Sequence, residues 1–189
     1  EVQGIIVPGG FGNRGIEGMV SAAKYARENN VPYFGLCLGM QIATIEFARS
    51  VLGYKDANSN EFDYLSEHKV IDFIHGQSDD IDKGGTMRLG AYPCEVQAGS
   101  LLEKCYGSLC LSEGHRHRYE FNIDYKQECE ANGMKIGGIS PDHTLVEAIE
   151  YTQNDFYVGV QYHPEFKSRP NKAHPLFKGF VEASLQGVE

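Results

Sequence analysis

Val31-Pro32-Tyr33-Phe34-Gly35-Leu36-Cys37-Leu38-Gly39-Met40-Gln41 joins a short apolar run to a segment with helical spacing, and a cysteine stands at the joint between two glycines. A run of this length, opened by a proline and rich in aromatic residues, reads as a buried strand. From 38 to 51, apolar residues at Met40, Ile42, Ala43, Ile45, Phe47, Ala48 and Val51 predict a helix, with Gly53 as its C-cap. A strand that turns into a helix at Gly-x-Cys-x-Gly has the form of a nucleophile elbow with cysteine in place of serine. Glycines suit the flanking positions, where side chains would collide with neighbouring backbone. The thiol also lies at a helix N-terminus, whose free N–H groups and dipole favour thiolate. The bland alternative is that Cys37 is a small buried hydrophobe.

Toward the N-terminus, residues 3–7 form a second strand-like run closed by Pro8-Gly9-Gly10, and a helix is predicted over 16–29 before the Asn29-Asn30 and Pro32 stop signal. Strand, helix, strand, helix implies a parallel α/β sheet. Toward the C-terminus, residues 55–114 are rich in turns and charges and read as loops and short strands at the sheet edge. Later strands are predicted at 119–123, 145–151 and 157–162, and a closing helix at 176–185. With no repeat or linker, the expectation is one domain over 1–189: α/β, a mostly parallel sheet flanked by helices, with the nucleophile on a strand-to-helix elbow.

A nucleophile needs a base and the base an orienter. His163-Pro164-Glu165 supplies both at the end of a predicted strand. Residues two apart in an extended chain share a side, and Pro164 favours the extended form at His163. Gly10-Phe11-Gly12-Asn13-Arg14-Gly15 matches GxGxxG, but a dinucleotide site wants an acid about 20 residues on at the next strand end. That strand ends at Cys37 instead. The same glycines serve better to bring backbone N–H groups near the cysteine, with Gly10 and Leu38 as donors to an oxyanion. In His115-Arg116-His117-Arg118 the guanidinium groups would repel a metal cation, so the run suits a substrate carboxylate or a solvated edge strand. No Walker P-loop occurs.

The 189 residues hold 17 Lys+Arg against 26 Asp+Glu, a formal net charge of −9, which excludes a mainly electrostatic nucleic-acid binder and disfavours an anionic membrane surface. No apolar run approaches the roughly 20 residues of a membrane span. Five cysteines without CxxC spacing argue against a disulfide framework and a cysteine zinc site, so a reducing cytoplasm is expected and no metal site. The chain opens on Glu1 without a methionine and runs almost at once into a strand, so it is expected to be a piece of something longer.

Six segments together resemble the triad-type (class I) glutamine amidotransferases: Val7-Pro8-Gly9-Gly10-Phe11-Gly12, the Gly35 to Gln41 elbow, Asn58 to Phe62, Gly85-Thr86-Met87-Arg88-Leu89-Gly90, His115 to Glu120, and Val160-Gln161-Tyr162-His163-Pro164-Glu165-Phe166. The resemblance implies that Cys37 attacks the side-chain amide of L-glutamine, His163 moves the proton to ammonia, and Glu165 orients His163. It implies substrate contacts from Gly10, Leu38, Gly39, Met40 and Gln41, with Glu61 for the α-amino group and Arg118, beside Tyr119, for the α-carboxylate. The Gly85 to Gly90 and HRHRYE runs resemble the branch whose ammonia goes to a synthase domain of the same polypeptide. There ATP and Mg2+ activate UTP for amination to CTP, GTP is the allosteric activator, and the whole enzyme is a homo-oligomer. No cofactor is implied for this domain itself. Alternatives are a stand-alone γ-glutamyl hydrolase, a non-catalytic regulatory or assembly domain and, from the GxGxxG alone, a dehydrogenase.

Overall fold

Residues 2–73 and 87–186 are described by a computed structural model of the chain. The turn-rich residues 79–85 and the Gly85-Thr86 start of the GTMRLG run lie outside the described residues. Strand β1 (Ile5–Val7), helix α1 (Ile16–Glu28), strand β2 (Tyr33–Leu36) and helix α2 (Leu38–Phe47) follow the expected order. A π-helical turn, Ala48–Leu52, prolongs α2 to Gly53, whose φ of 87° makes it the left-handed cap. Then come β3 (Asn58–Ser59), β4 (Lys69–Phe73), β5 (Arg88–Val96), α3 (Leu101–Tyr106), β6 (Cys110–His117), β7 (Tyr119–Phe121), α4 (Lys126–Ala131), β8 (Met134–Ile139), β9 (Val146–Tyr151), β10 (Tyr157–Val160) and α5 (Pro175–Gln186).

The main sheet has the order β1-β2-β10-β9-β8-β5-β6, and β3-β4-β7 form a smaller one. Alternate residues of β2 and β10 feed two cores: Tyr33 and Tyr157 join the side covered by α1 and α2, while Phe34, Leu36, Val158 and Val160 join the side covered by α3 and α5. The helix-flanked α/β class is as expected, but the sheet is not mostly parallel. In it only β1–β2 and β2–β10 are parallel, and the remaining pairs are antiparallel. The cause is connection length: β8, β9 and β10 are joined by short loops that permit only antiparallel neighbours, whereas β1 and β2 have α1 as a crossover.

The region expected to hold loops and short strands instead contains the long β5/β6 hairpin, paired from Arg88↔His117 to Glu95↔Cys110. Its sequence hides the alternation. The inward positions of β6 are Glu113, His115 and His117, all buried, while Arg116 is exposed. The solvated-edge reading of the HRHR run is thereby corrected: this is the sheet's last strand, yet its histidines face inward.

Candidate active site

Three strand ends meet at the site. Cys37 follows β2, Gln161 to His163 follow β10, and Pro8 to Gly10 follow β1, and these parallel strands present their carboxyl ends on one edge. Leu36 pairs with Val160, and the Cys37 N–H donates to the Val160 carbonyl at 2.7 Å, which sets the cysteine beside Gln161. Cys37 is buried with φ 51° and ψ −99°, a conformation strained for any residue but glycine. The glycines at the elbow are there for space. A Cβ on Gly35 would lie 2.5 Å from the Gly39 backbone, and one on Gly39 would collide with the Val7 carbonyl oxygen. The buried Tyr33 hydroxyl fastens the turn by donating to the Gly39 carbonyl at 2.8 Å.

The His163 imidazole lies across the same gap. A Cβ on Gly9 would be 2.8 Å from His163 Cε1 and 3.5 Å from Cys37 Cβ, so both side chains fit against Gly9 only because it has none. His163 Nδ1 bonds Glu165 Oε1 at 2.6 Å, while Nε2 is buried with no hydrogen-bond partner among the described residues. Burial opposes a charge on the ring, but Cys37 and Glu165 outweigh it and hold the His163 pKa up at about 10. Burial raises the Glu165 carboxyl, and the bond to His163 and its charge bring it below the usual carboxylate range.

Glu165 does not reach His163 along an extended chain. Pro164–Phe166 form a 3-10 turn with Pro164 at its start and His163 as its N-cap, and the carboxylate folds back over that turn. Phe166, one residue on, stacks on the imidazole with ring centroids 4.8 Å apart and 10° between planes. Gly114 makes room for this ring: a Cβ there would sit 3.0 Å from Phe166 Cδ2. The Gly114 carbonyl also accepts the His163 N–H at 2.8 Å.

Of the other predicted residues, Gly10 packs against Leu38, whose Cδ2 would be 3.2 Å from a Cβ at position 10. Leu38 is the first residue of α2, where a backbone N–H has no intrahelical acceptor. Glu61 is half-buried, and its Oε1 accepts the Gly12 N–H at 3.0 Å, tying it to the glycine loop. Arg118 directly follows β6, half-buried, with no hydrogen bond or ion pair among the described residues. Tyr119 is half-buried and packs on Phe73 with centroids 4.7 Å apart. The Met40 side chain belongs to the core, because α2 turns it inward under β10, where Gly159 leaves space for it. Gln41 is as buried as Cys37, and its Nε2 donates to the Tyr119 carbonyl at 3.0 Å and to Gln161 Oε1 at 3.3 Å.

Sequence reasoning assigned no role to Gln161 or Phe166, although both stand in the segment quoted around His163. It also missed the polar cluster behind the site. Arg88 grips Glu147 through two bonds, at 2.5 and 3.1 Å, and reaches Glu120 at 3.4 Å. His115 and His117 share a 2.8 Å bond beside them. Desolvation keeps both imidazoles neutral, with pKa values pushed down to about 2 and about 3, and Arg88 adds to the effect. It pushes the Glu120 carboxyl up to about 8, because Arg88 is already committed to Glu147. Among the described residues, no group of three or more His, Cys, Asp or Glu side chains is placed to hold a metal ion, and no helix is long and apolar enough to cross a membrane.

A cysteine at a strained elbow, an imidazole between it and a carboxylate, and a glycine loop alongside are the parts that cysteine-dependent acyl transfer requires. The sequence model of the family described as glutamine amidotransferase class-I matches residues 1–183, and the chain belongs to that family as a glutamine-hydrolysing amidotransferase domain. More narrowly, it is 57% identical to CTP synthase of Staphylococcus aureus over 98% of its length, while spanning 35% of that relative. The glutaminase domain of Trypanosoma brucei CTPS, solved with bound acivicin, superposes with a TM-score of 0.92 at 41% identity, over 97% of this chain and 71% of that one. A glutamine amidotransferase from Methylobacillus flagellatus, at 13% identity and TM-score 0.57 over 96% of this chain and 73% of that one, shares the fold.

Proposed function

We propose that this chain is the ammonia-producing half of a CTP-forming enzyme, with Cys37, His163 and Glu165 as its catalytic residues. The observation that carries the reading is the juxtaposition of Cys37 and His163 against Gly9, with Glu165 2.6 Å behind the imidazole. In the first half-reaction Cys37 Sγ attacks the side-chain amide carbon of glutamine, and the oxyanion is met by the backbone N–H groups of Gly10 and Leu38. The C–N bond breaks as His163 gives its proton to the departing nitrogen, leaving a thioester and free ammonia. Water then adds to the thioester carbonyl, His163 takes its proton, and the C–S bond breaks to return the sulfur and release glutamate. Glu165 keeps Nδ1 engaged throughout, so that Nε2 carries the traffic.

Glu61 and Arg118 recognise the α-amino and α-carboxylate groups, and the guanidinium of Arg118, without a polar partner among the described residues, supports that role. Requiring both charges on one carbon selects free glutamine over a glutamine within an α-linked peptide, and the likeness to CTP synthase sets this reading above a γ-glutamyl hydrolase, whose substrates carry the same two charges. The synthase domain, with its ATP, Mg2+ and UTP, lies elsewhere in the same polypeptide, GTP acts as effector, and the whole enzyme is a cytoplasmic homo-oligomer. Support comes from the relatives of which this chain is 35%. In the intact protein, Cys37→Ala is expected to abolish CTP formation from glutamine while formation from added ammonia persists. Loss of both activities in a folded variant contradicts the assignment.

A further inference from the structure

Gln161 is completely buried at the end of β10, and its backbone N–H is taken by the Glu147 carbonyl at 2.8 Å. Its side chain lies between two others. Nε2 is 3.6 Å from Cys37 Sγ, and Oε1 accepts from Gln41 Nε2 at 3.3 Å. The direction of each amide follows from a single fixed acceptor. The Tyr119 carbonyl can only accept, so Gln41 turns its NH2 toward it at 3.0 Å, and the same NH2 faces Gln161. Gln161 therefore offers its oxygen to Gln41 and its NH2 to the sulfur. A flipped Gln161 would set two NH2 groups against each other and a carbonyl oxygen against Sγ.

On its other side the sulfur has an acceptor, the Arg116 carbonyl at 3.9 Å. The two neighbours serve the two states of the sulfur: a thiol donates to Arg116, and a thiolate accepts from Gln161. We infer that Gln161 is a hydrogen-bond donor to the reacting sulfur, holding it for attack and meeting its charge when the C–S bond of the thioester breaks and the electron pair returns to Sγ. Gln161 transfers no proton in this role, and Gln41, acting through Gln161, is a positioning residue. The inference rests on Cys37 being the nucleophile.

The test is alkylation of Cys37 by iodoacetamide in the intact protein, followed by peptide mass mapping from pH 5 to 10 and accompanied by kcat and KM for glutamine. For Gln161→Met and Gln161→Glu, alkylation at neutral pH is expected to slow about tenfold or more, the size of one lost bond to a charged acceptor. The pH profile should move to the alkaline side, and kcat should fall with KM within about twofold, a split that a packing defect would not produce. Gln41→Leu, which releases the orientation of Gln161, should move the profile the same way by less and keeps the test open if either Gln161 variant fails to fold. Folded variants that alkylate at the wild-type rate with an unmoved profile overturn the role of Gln161. Wild-type Cys37 reacting no faster than the exposed Cys110 would instead overturn the nucleophile assignment beneath it.

Discussion

The strands β1, β2 and β10 bury Val7, Phe34, Leu36, Val158 and Val160, whereas β5, β6 and β9 bury Arg88, Glu113, His115, His117 and Glu147. The first half of the sheet is an apolar, parallel scaffold whose strand ends hold the proposed reactive centre. The second is antiparallel and buries these polar side chains beside apolar ones such as Val96, Ile136 and Ile149, and Arg118 emerges directly from its edge. The difference is one of cost and purpose. Apolar strands gain stability by burial alone, while a buried ion pair roughly breaks even against apolar packing and is strongly destabilising once half removed. On this account the apolar half carries bond breaking and the polar half carries recognition of the substrate's charges.

The largest effect should come from the centre itself. His163→Ala is expected to lower glutamate release by about 10^4-fold while leaving the unfolding midpoint nearly unchanged, because the site lies at the strand ends and not in the core. A residual rate within tenfold of wild type would remove His163 from the chemistry. In the polar half, Arg88→Met leaves Glu147 buried without its cation and should cost about 3–5 kcal/mol in urea unfolding. A loss below about 1 kcal/mol would mean that Glu147 is neutral or hydrated there and would erase the contrast between the halves. Arg118→Met should raise KM for glutamine about 10–100-fold with a smaller change in kcat, the worth of a charge-assisted bond to the α-carboxylate. An unchanged KM would assign recognition elsewhere.

The smallest effect is the most specific. Glu120, raised to about 8 by burial, is protonated at neutral pH in the folded state and ionised when unfolded. The folded state then binds the extra proton, so this group makes stability fall as pH rises from the unfolded carboxyl value toward 8. His115 and His117 act oppositely and lower, costing stability as pH drops below their unfolded value near 6.5. Glu120→Gln, which copies the protonated acid, should match wild type near pH 4.5, gain on it as pH rises, and flatten the decline between about pH 4.5 and 8. A slope identical to wild type would show Glu120 ionised in the folded protein.

The same contrast explains what could be read without a structure. The elbow, the two flanking strands and α1, α2 and α5 were legible because Phe34, Leu36 and Val158 announce burial and Gly35 and Gly39 announce close backbone approach. His163 and Glu165 were legible as a pair although their geometry was not, since a proline after histidine favours an extended chain and also opens a helical turn. The β5/β6 hairpin was not legible. The inward face of β6 is spelled in Glu and His, Gly90 and Pro93 interrupt the pattern of β5, and Leu89 is exposed, so hydrophobic alternation does not announce the pairing. β8 was hidden likewise by Gly137 and Gly138, which admit Glu150 and Cys94 side chains closely.

The central claim, that a charged amino acid is delivered to a nucleophilic Cys37, is tested most directly by covalent labelling of the intact protein. The reagent is a glutamine-like electrophile bearing both α-charges, with free glutamine as competitor and peptide mapping as readout. Modification confined to Cys37, blocked by glutamine and lost in Arg118→Met at limiting reagent, is the predicted result. Labelling spread over the other cysteines, or at Cys37 but indifferent to glutamine, would contradict it.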